Sequence, residues 1–116
     1  MPAPVIDPRT FAELQASAGA EFVAELVGAF GEEAPQLLGE LRAAQAAGAA
    51  ERFRRAVHSL KSNGHTFGAT QLGEMARTLE LGGLPASEAP VQALATEFER
   101  ALTALKTLVA GDAGRG

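Results

Sequence analysis

The chain has 116 residues, of which 47% are apolar, 21% charged and 5% aromatic, with no Cys, Trp or Tyr; this is the length of one domain. Ala and Leu supply 25 and 14 residues against 14 for Val, Ile and Thr together, so strong helix formers dominate and the composition is that of an all-α protein. Ten Lys plus Arg against fourteen Asp plus Glu give a net charge of −4, which argues against a surface that binds nucleic acid or acidic membrane as a whole.

The missing cysteines exclude disulfide frameworks, cysteine-based zinc sites and thiol nucleophiles. No apolar run approaches the roughly 18 to 20 residues that cross a bilayer. The start, Met1-Pro2-Ala3-Pro4, lacks the basic-then-apolar order of a signal peptide. A soluble, cytoplasmic domain without membrane contact is the expectation.

Asp7 followed by Pro8 reads as a helix cap with proline at the first helical position. A short helix follows, with Phe11 and Leu14 on one face and a stop near Ala18-Gly19. A second helix begins near Ala20. Phe22, Val23, Leu26, Val27, Phe30, Ala34, Leu37, Leu38 and Leu41 recur along it at steps of three and four, the mark of an amphipathic helix. The stripe passes through Pro35 without losing phase, so a single kinked helix to about Ala47 is favoured over two helices, with Gly48 as its stop.

The third helix spans about Ala49 to Gly64, with Phe53, Val57, Leu60 and Gly64 in one buried seam. A corner over Gly64 to Gly68 leads to a fourth helix carrying Leu72, Met75, Ala76 and Leu79, which ends at Gly82-Gly83. Ser87 to Pro90 reads as the next cap. The last helix presents Val91, Leu94, Phe98, Leu102, Leu105 and Leu108 or Val109, and residues 111–116 form a polar, frayed tail. Four long helices with short connections and a short leading helix predict an antiparallel four-helix bundle over residues 1–110.

Such a bundle says nothing of function by itself; the informative stretch is Arg54-Arg55-Ala56-Val57-His58-Ser59-Leu60-Lys61-Ser62-Asn63-Gly64-His65. Each helical residue advances about 100°, so an inward seam of Phe53, Val57, Leu60 and Gly64 leaves His58 facing out. Arg54, Arg55, Lys61 and Ser62 are then its surface neighbours. Residues 51–62 hold four Lys plus Arg against one Glu, a local +3 that leaves −7 for the rest. A cationic surround favours a neutral, nucleophilic imidazole and welcomes a phosphoryl group once attached. Read without further context, the same residues are a solvated helix face.

His58-Ser59-Leu60-Lys61-Ser62-Asn63-Gly64, followed by Phe67-Gly68-Ala69, Leu72 and Leu79-Glu80, resembles the signature of the histidine phosphotransfer (HPt) domain of two-component phosphorelays. The resemblance extends over nearly the whole chain. It implies phosphorylation of His58 on an imidazole nitrogen, with Lys61 supporting the phosphoryl group. Ser62 stands where many members have Gly, and its small side chain lets a partner come close. Glu80 matches a position whose side chain reaches the imidazole and fixes its tautomer, although taken alone it is equally a solvated residue. Arg54, Arg55, Gly64 and His65 would belong to the docking face, Gly68 would form the turn between the third and fourth helices, and Phe67 would plug the core there. His65 lies seven residues after His58, not the four that would place two metal ligands on one helix, and no metal site is expected.

The resemblance further implies response-regulator receiver domains as partners, with a hybrid sensor histidine kinase as a further one. Mg²⁺ would be supplied by the receiver's acidic pocket and no cofactor by this chain. The chain would act as a monomeric phosphocarrier without turnover of its own. Two other classes compete: an adaptor bundle that docks a partner helix, in which His58 is dispensable, and a histidine-dependent enzyme or metal protein, which needs a second catalytic group converging on His58.

Overall fold

The computed structural model describes the backbone of residues 4–115 and the side chains of residues 4–111. Met1-Pro2-Ala3, read above for a signal peptide, lies outside the described residues, as do the side chains of residues 112–116; the backbone of residues 111–115, expected as a frayed tail, instead continues the last helix. Five helices make up the fold: α1 (Pro8–Ala18), α2 (Ala20–Ala47), α3 (Ala50–Phe67), α4 (Thr70–Gly82) and α5 (Ala89–Arg115). No strand occurs among the described residues.

At 1.5 Å per residue, α2 and α5 are each about 40 Å long, whereas α3 and α4 reach only about 27 and 20 Å; the molecule's long axis is 48 Å. The chain therefore has two long rods and a shorter α3–α4 hairpin. α3 packs most extensively on α4 and also on α2, α5 packs on α2 and α4, and α1 packs on α2 and α3.

Local chemistry sets the ends of these rods. The Asp7 carboxylate accepts the backbone N–H of Arg9, and Pro8 opens α1, which satisfies one of the otherwise unpaired N–H groups of a helix start. α2 passes through Pro35 as one 28-residue helix. Pro35 lies on the exposed side, where water can meet the carbonyl that the ring leaves without its helical partner. α3 does not stop at Gly64, as the sequence suggested, but continues to Phe67. The residue that turns the chain is Gly68, at φ 80°, with its N–H returned to the α3 carbonyls. Its peptide oxygen also accepts the Asp7 N–H at 2.8 Å, which ties the start of α1 to the α3–α4 corner. The α4–α5 connection is held by Gln45 of α2, whose amide donates to the carbonyls of Pro85 and Ser87 at 3.1 and 2.7 Å.

The core is continuous from end to end. The ring of Phe30 lies 5.2 Å from those of both Phe67 and Phe98, joining α2, the end of α3 and α5 in tilted and edge-on contacts. Leu41, Phe53, Leu60, Leu72, Leu94 and Leu105 are fully buried around it. One residue departs from the predicted stripes, and one open choice is resolved. Phe22 is 48% exposed on the first turn of α2, where Val23 and Val27 take the inward positions. On α5, Leu108 points outward and the half-buried Val109 continues the face. One charged side chain is buried among the described residues: Glu97, 6% exposed, which accepts a hydrogen bond from Arg100 at 2.9 Å.

Candidate functional site

α3 has its buried residues, Phe53, Ala56, Val57, Leu60, Gly64 and Phe67, on one side. His58 lies on the opposite ridge with 57% of its side chain exposed. The ring is nevertheless held. Its Nδ1 is 2.5 Å from Oε2 of Glu80, and Oε1 of the same carboxylate accepts a hydrogen bond from Lys61 Nζ at 2.6 Å. A carboxylate can only accept, so this contact places the proton on Nδ1 and leaves the Nε2 lone pair free. Nε2 has no protein partner among the described residues.

Glu80 is the least exposed member of the trio, at 11% of its side chain against 23% for Lys61. Its carboxyl is held below the usual carboxylate range, first by the Lys61 hydrogen bond and then by the one from His58, which keeps it anionic at neutral pH.

A close crossing of α3 and α4 is what lets Glu80 reach so far. Gly64 is buried, and a Cβ on it would lie 3.1 Å from the backbone N of Gly73 and 3.3 Å from its Cα. The two helices thus touch backbone to backbone. Gly64, grouped above with the docking face, is withdrawn from it: it lies under α4 and serves to bring the helices together. His65 is exposed, but its ring lies over Gly73, where a Cβ would come within 2.9 Å of His65 Nε2. It joins neither the Glu80 trio nor any metal-ligand group; no cluster of three or more His, Cys, Asp or Glu suited to a metal ion occurs among the described residues.

The remaining neighbours are exposed. Ser62, four residues after His58 on α3, is exposed; its hydroxyl has no partner among the described residues, and its carbonyl accepts from Thr66 Oγ1 at 2.9 Å. Arg54 is held by Glu51 at 2.5 Å and Arg52 by Glu40 at 2.8 Å; both carboxyls are lowered, chiefly by those hydrogen bonds. The net cationic surround of +3 read from residues 51–62 is thereby corrected. Glu40 arrives from α2 and Glu80 from α4, so three of the four cations carry an internal carboxylate and the imidazole itself is held by an anion. Glu40 was missed because it lies 12 residues from its partner, with no periodic signal to link them. Gly68 is buried at the corner, its Cβ position only 3.0 Å from the Asp7 carbonyl and from Thr10 Cβ.

No helix among the described residues is long and apolar enough to cross a membrane. Comparison with known proteins gives two positive findings. The sequence profile of the Hpt domain matches residues 25–107. The crystal structure of histidine-containing phosphotransfer protein B from Pseudomonas aeruginosa PAO1 is similar with a TM-score of 0.74 and 28% identity, covering 99% of each chain. No curated protein sequence matches.

Proposed function

The chain belongs to the Hpt domain family, the histidine phosphotransfer domains of phosphorelays, and from that premise we propose that His58 is the residue that carries the phosphoryl group, through Nε2. The observation that bears most weight is the Glu80 carboxylate on Nδ1 of an exposed imidazole. It supports a ring with the right tautomer, the right orientation and an open nitrogen.

In the forward step, the Nε2 lone pair attacks the phosphorus of a receiver's aspartyl phosphate. The Nε2–P bond forms as the acyl O–P bond breaks, and the aspartate leaves as a carboxylate. The ring retains its Nδ1 proton and becomes cationic, so the anionic Glu80 beside Nδ1 stabilises charge that develops during transfer. Lys61, held at the same carboxylate, is within one helical turn of His58 and can swing to the phosphoryl oxygens. Ser62 leaves room for the incoming partner. Reversal of the same step delivers the group to the aspartate of a second receiver.

Because the chain brings a nucleophile and positioning groups, the Mg²⁺ that neutralises the transferring phosphoryl belongs to the receiver's acidic pocket. We read the chain accordingly as a monomeric, cytoplasmic phosphocarrier without turnover of its own, serving receiver domains and a hybrid kinase. Its helices α2–α5 are read as an antiparallel four-helix bundle with α1 added at one end.

The test is direct transfer from a radiolabelled, phosphorylated receiver domain in Mg²⁺. Acid-labile, base-stable label on the wild-type chain and none on His58→Gln is the expected outcome. Label that persists in His58→Gln, or that never appears on the wild type, contradicts the proposal.

A further inference from the structure

The ion pairs around His58 divide its cations into two kinds. Arg52, Arg54 and Lys61 each hold an internal carboxylate, those of Glu40, Glu51 and Glu80. Among the described residues, Arg55 makes no hydrogen bond through its guanidinium and no salt bridge, although it lies close enough to help lower both Glu40 and Glu51. It is three residues before His58 and exposed, on the flank of α3 that faces α2. There it lines an open groove of about 380 Å³ with Leu37, Glu40, Arg52, Ala56 and Ser59. His58 does not line that groove but follows Arg55 by three positions on α3, within one helical turn, whereas its own carboxylate partner Glu80, shared with Lys61, comes from α4.

An incoming carboxylate that meets Arg52, Arg54 or Lys61 exchanges one ion pair for another and gains little. One that meets Arg55 makes a new charge-assisted, fork-shaped contact and displaces none. We infer that Arg55, at the mouth of the α2–α3 groove, is the cation through which this protein engages the carboxylates rimming a receiver's phosphoacceptor pocket, and that the receiver docks over α2 and α3 beside His58. The inference rests on the proposed phosphotransfer role. The occupant follows from charge and continuity: the surplus cation on this face adjoins the nucleophile, and the groove floor of Leu37 and Ala56 is apolar enough to be covered. Positioned at an interface rim, Arg55 governs encounter and docking more than the chemical step.

The experiment uses a receiver domain that phosphorylates the wild-type chain, and measures transfer rate against receiver concentration at several ionic strengths. Arg55→Ala is expected to raise the half-saturating receiver concentration about tenfold, to exceed any effect on the saturated rate, and to flatten the salt dependence. Arg55→Lys should recover part of the loss. Arg42→Ala removes the same charge from the opposite, α5-facing side of α2 and is expected to change the half-saturating concentration by less than twofold. Unchanged helicity by circular dichroism verifies that each variant folds. An equal shift in Arg42→Ala assigns the effect to overall charge and overturns the inference, as does an Arg55→Ala variant that behaves like wild type. A wild-type chain that accepts no phosphoryl group contradicts the proposed function instead, so the two failures are distinguishable.

Discussion

At the scale of single residues, the site is one carboxylate shared by two partners. Glu80 holds the imidazole by Nδ1 and the Lys61 ammonium by its other oxygen, so one side chain fixes both the tautomer and the resting place of the cation. His58 and Lys61 were legible in the sequence because a spacing of three puts them on one helix face. The charge count was not, because a contiguous window cannot include Glu40 or Glu80, which fold in from other helices. Glu80→Gln preserves the shape of the side chain but removes the anion. It is expected to slow saturated transfer by about tenfold or more. The same variant has an acid signature. With its folded-state carboxyl lowered by Lys61 and His58, Glu80 contributes stability that is fully present above its unfolded value and is lost as pH falls through the lowered folded value. The stability difference between wild type and Glu80→Gln should therefore be largest near neutrality and shrink in acid below the ordinary carboxylate range, as read by thermal unfolding at a series of pH values. A difference that grows on acidification would contradict the assignment.

At the scale of helices, starts and faces were written locally, whereas the ends of α3 and the approach of α4 were not. Asp7-Pro8 and the step-of-three-and-four stripes are patterns within one segment, and α1 and α2 begin where those patterns place them. Gly64 resembled a stop because a glycine inside a helix has no local purpose. Its purpose is the backbone of Gly73 on the facing helix, which no reading of α3 alone contains. Two glycines that end helices give a controlled comparison. Gly48 and Gly68 both have left-handed backbones, at φ 67° and 80°, but a Cβ on Gly48 meets open space while one on Gly68 meets Asp7 and Thr10 at 3.0 Å. Gly48→Ala should cost about 1–2 kcal/mol for the backbone alone. Gly68→Ala should cost more than that, since it also loosens the α1 contact, and a comparison of denaturant midpoints by circular dichroism checks the order. Equal costs would mean that α1 yields freely at the corner.

At the scale of the whole molecule, net acidity and a basic-looking segment resolve into a single working face. The chain carries −4 overall, and the apparent +3 near His58 is mostly spent on internal carboxylates, with Arg55 as the surplus. A continuous core through Phe30, Phe67 and Phe98 supports the α3 ridge that carries the exposed imidazole, which suits the proposed entry of His58 into a partner's cleft without rearrangement of the rod beneath it. All-helical architecture was readable from composition and periodicity; which two helices would flank the histidine, and with which charges, depended on packing between distant segments. The central claim is that one nitrogen of one of the chain's two histidines takes the phosphoryl group because Glu80 occupies the other. Nitrogen-15 NMR of the phosphorylated, imidazole-labelled protein tests it most directly. The account predicts a phosphorus–nitrogen coupling at Nε2 of His58 with the proton retained on Nδ1; phosphorylation at Nδ1 of His58, or on His65, would contradict it.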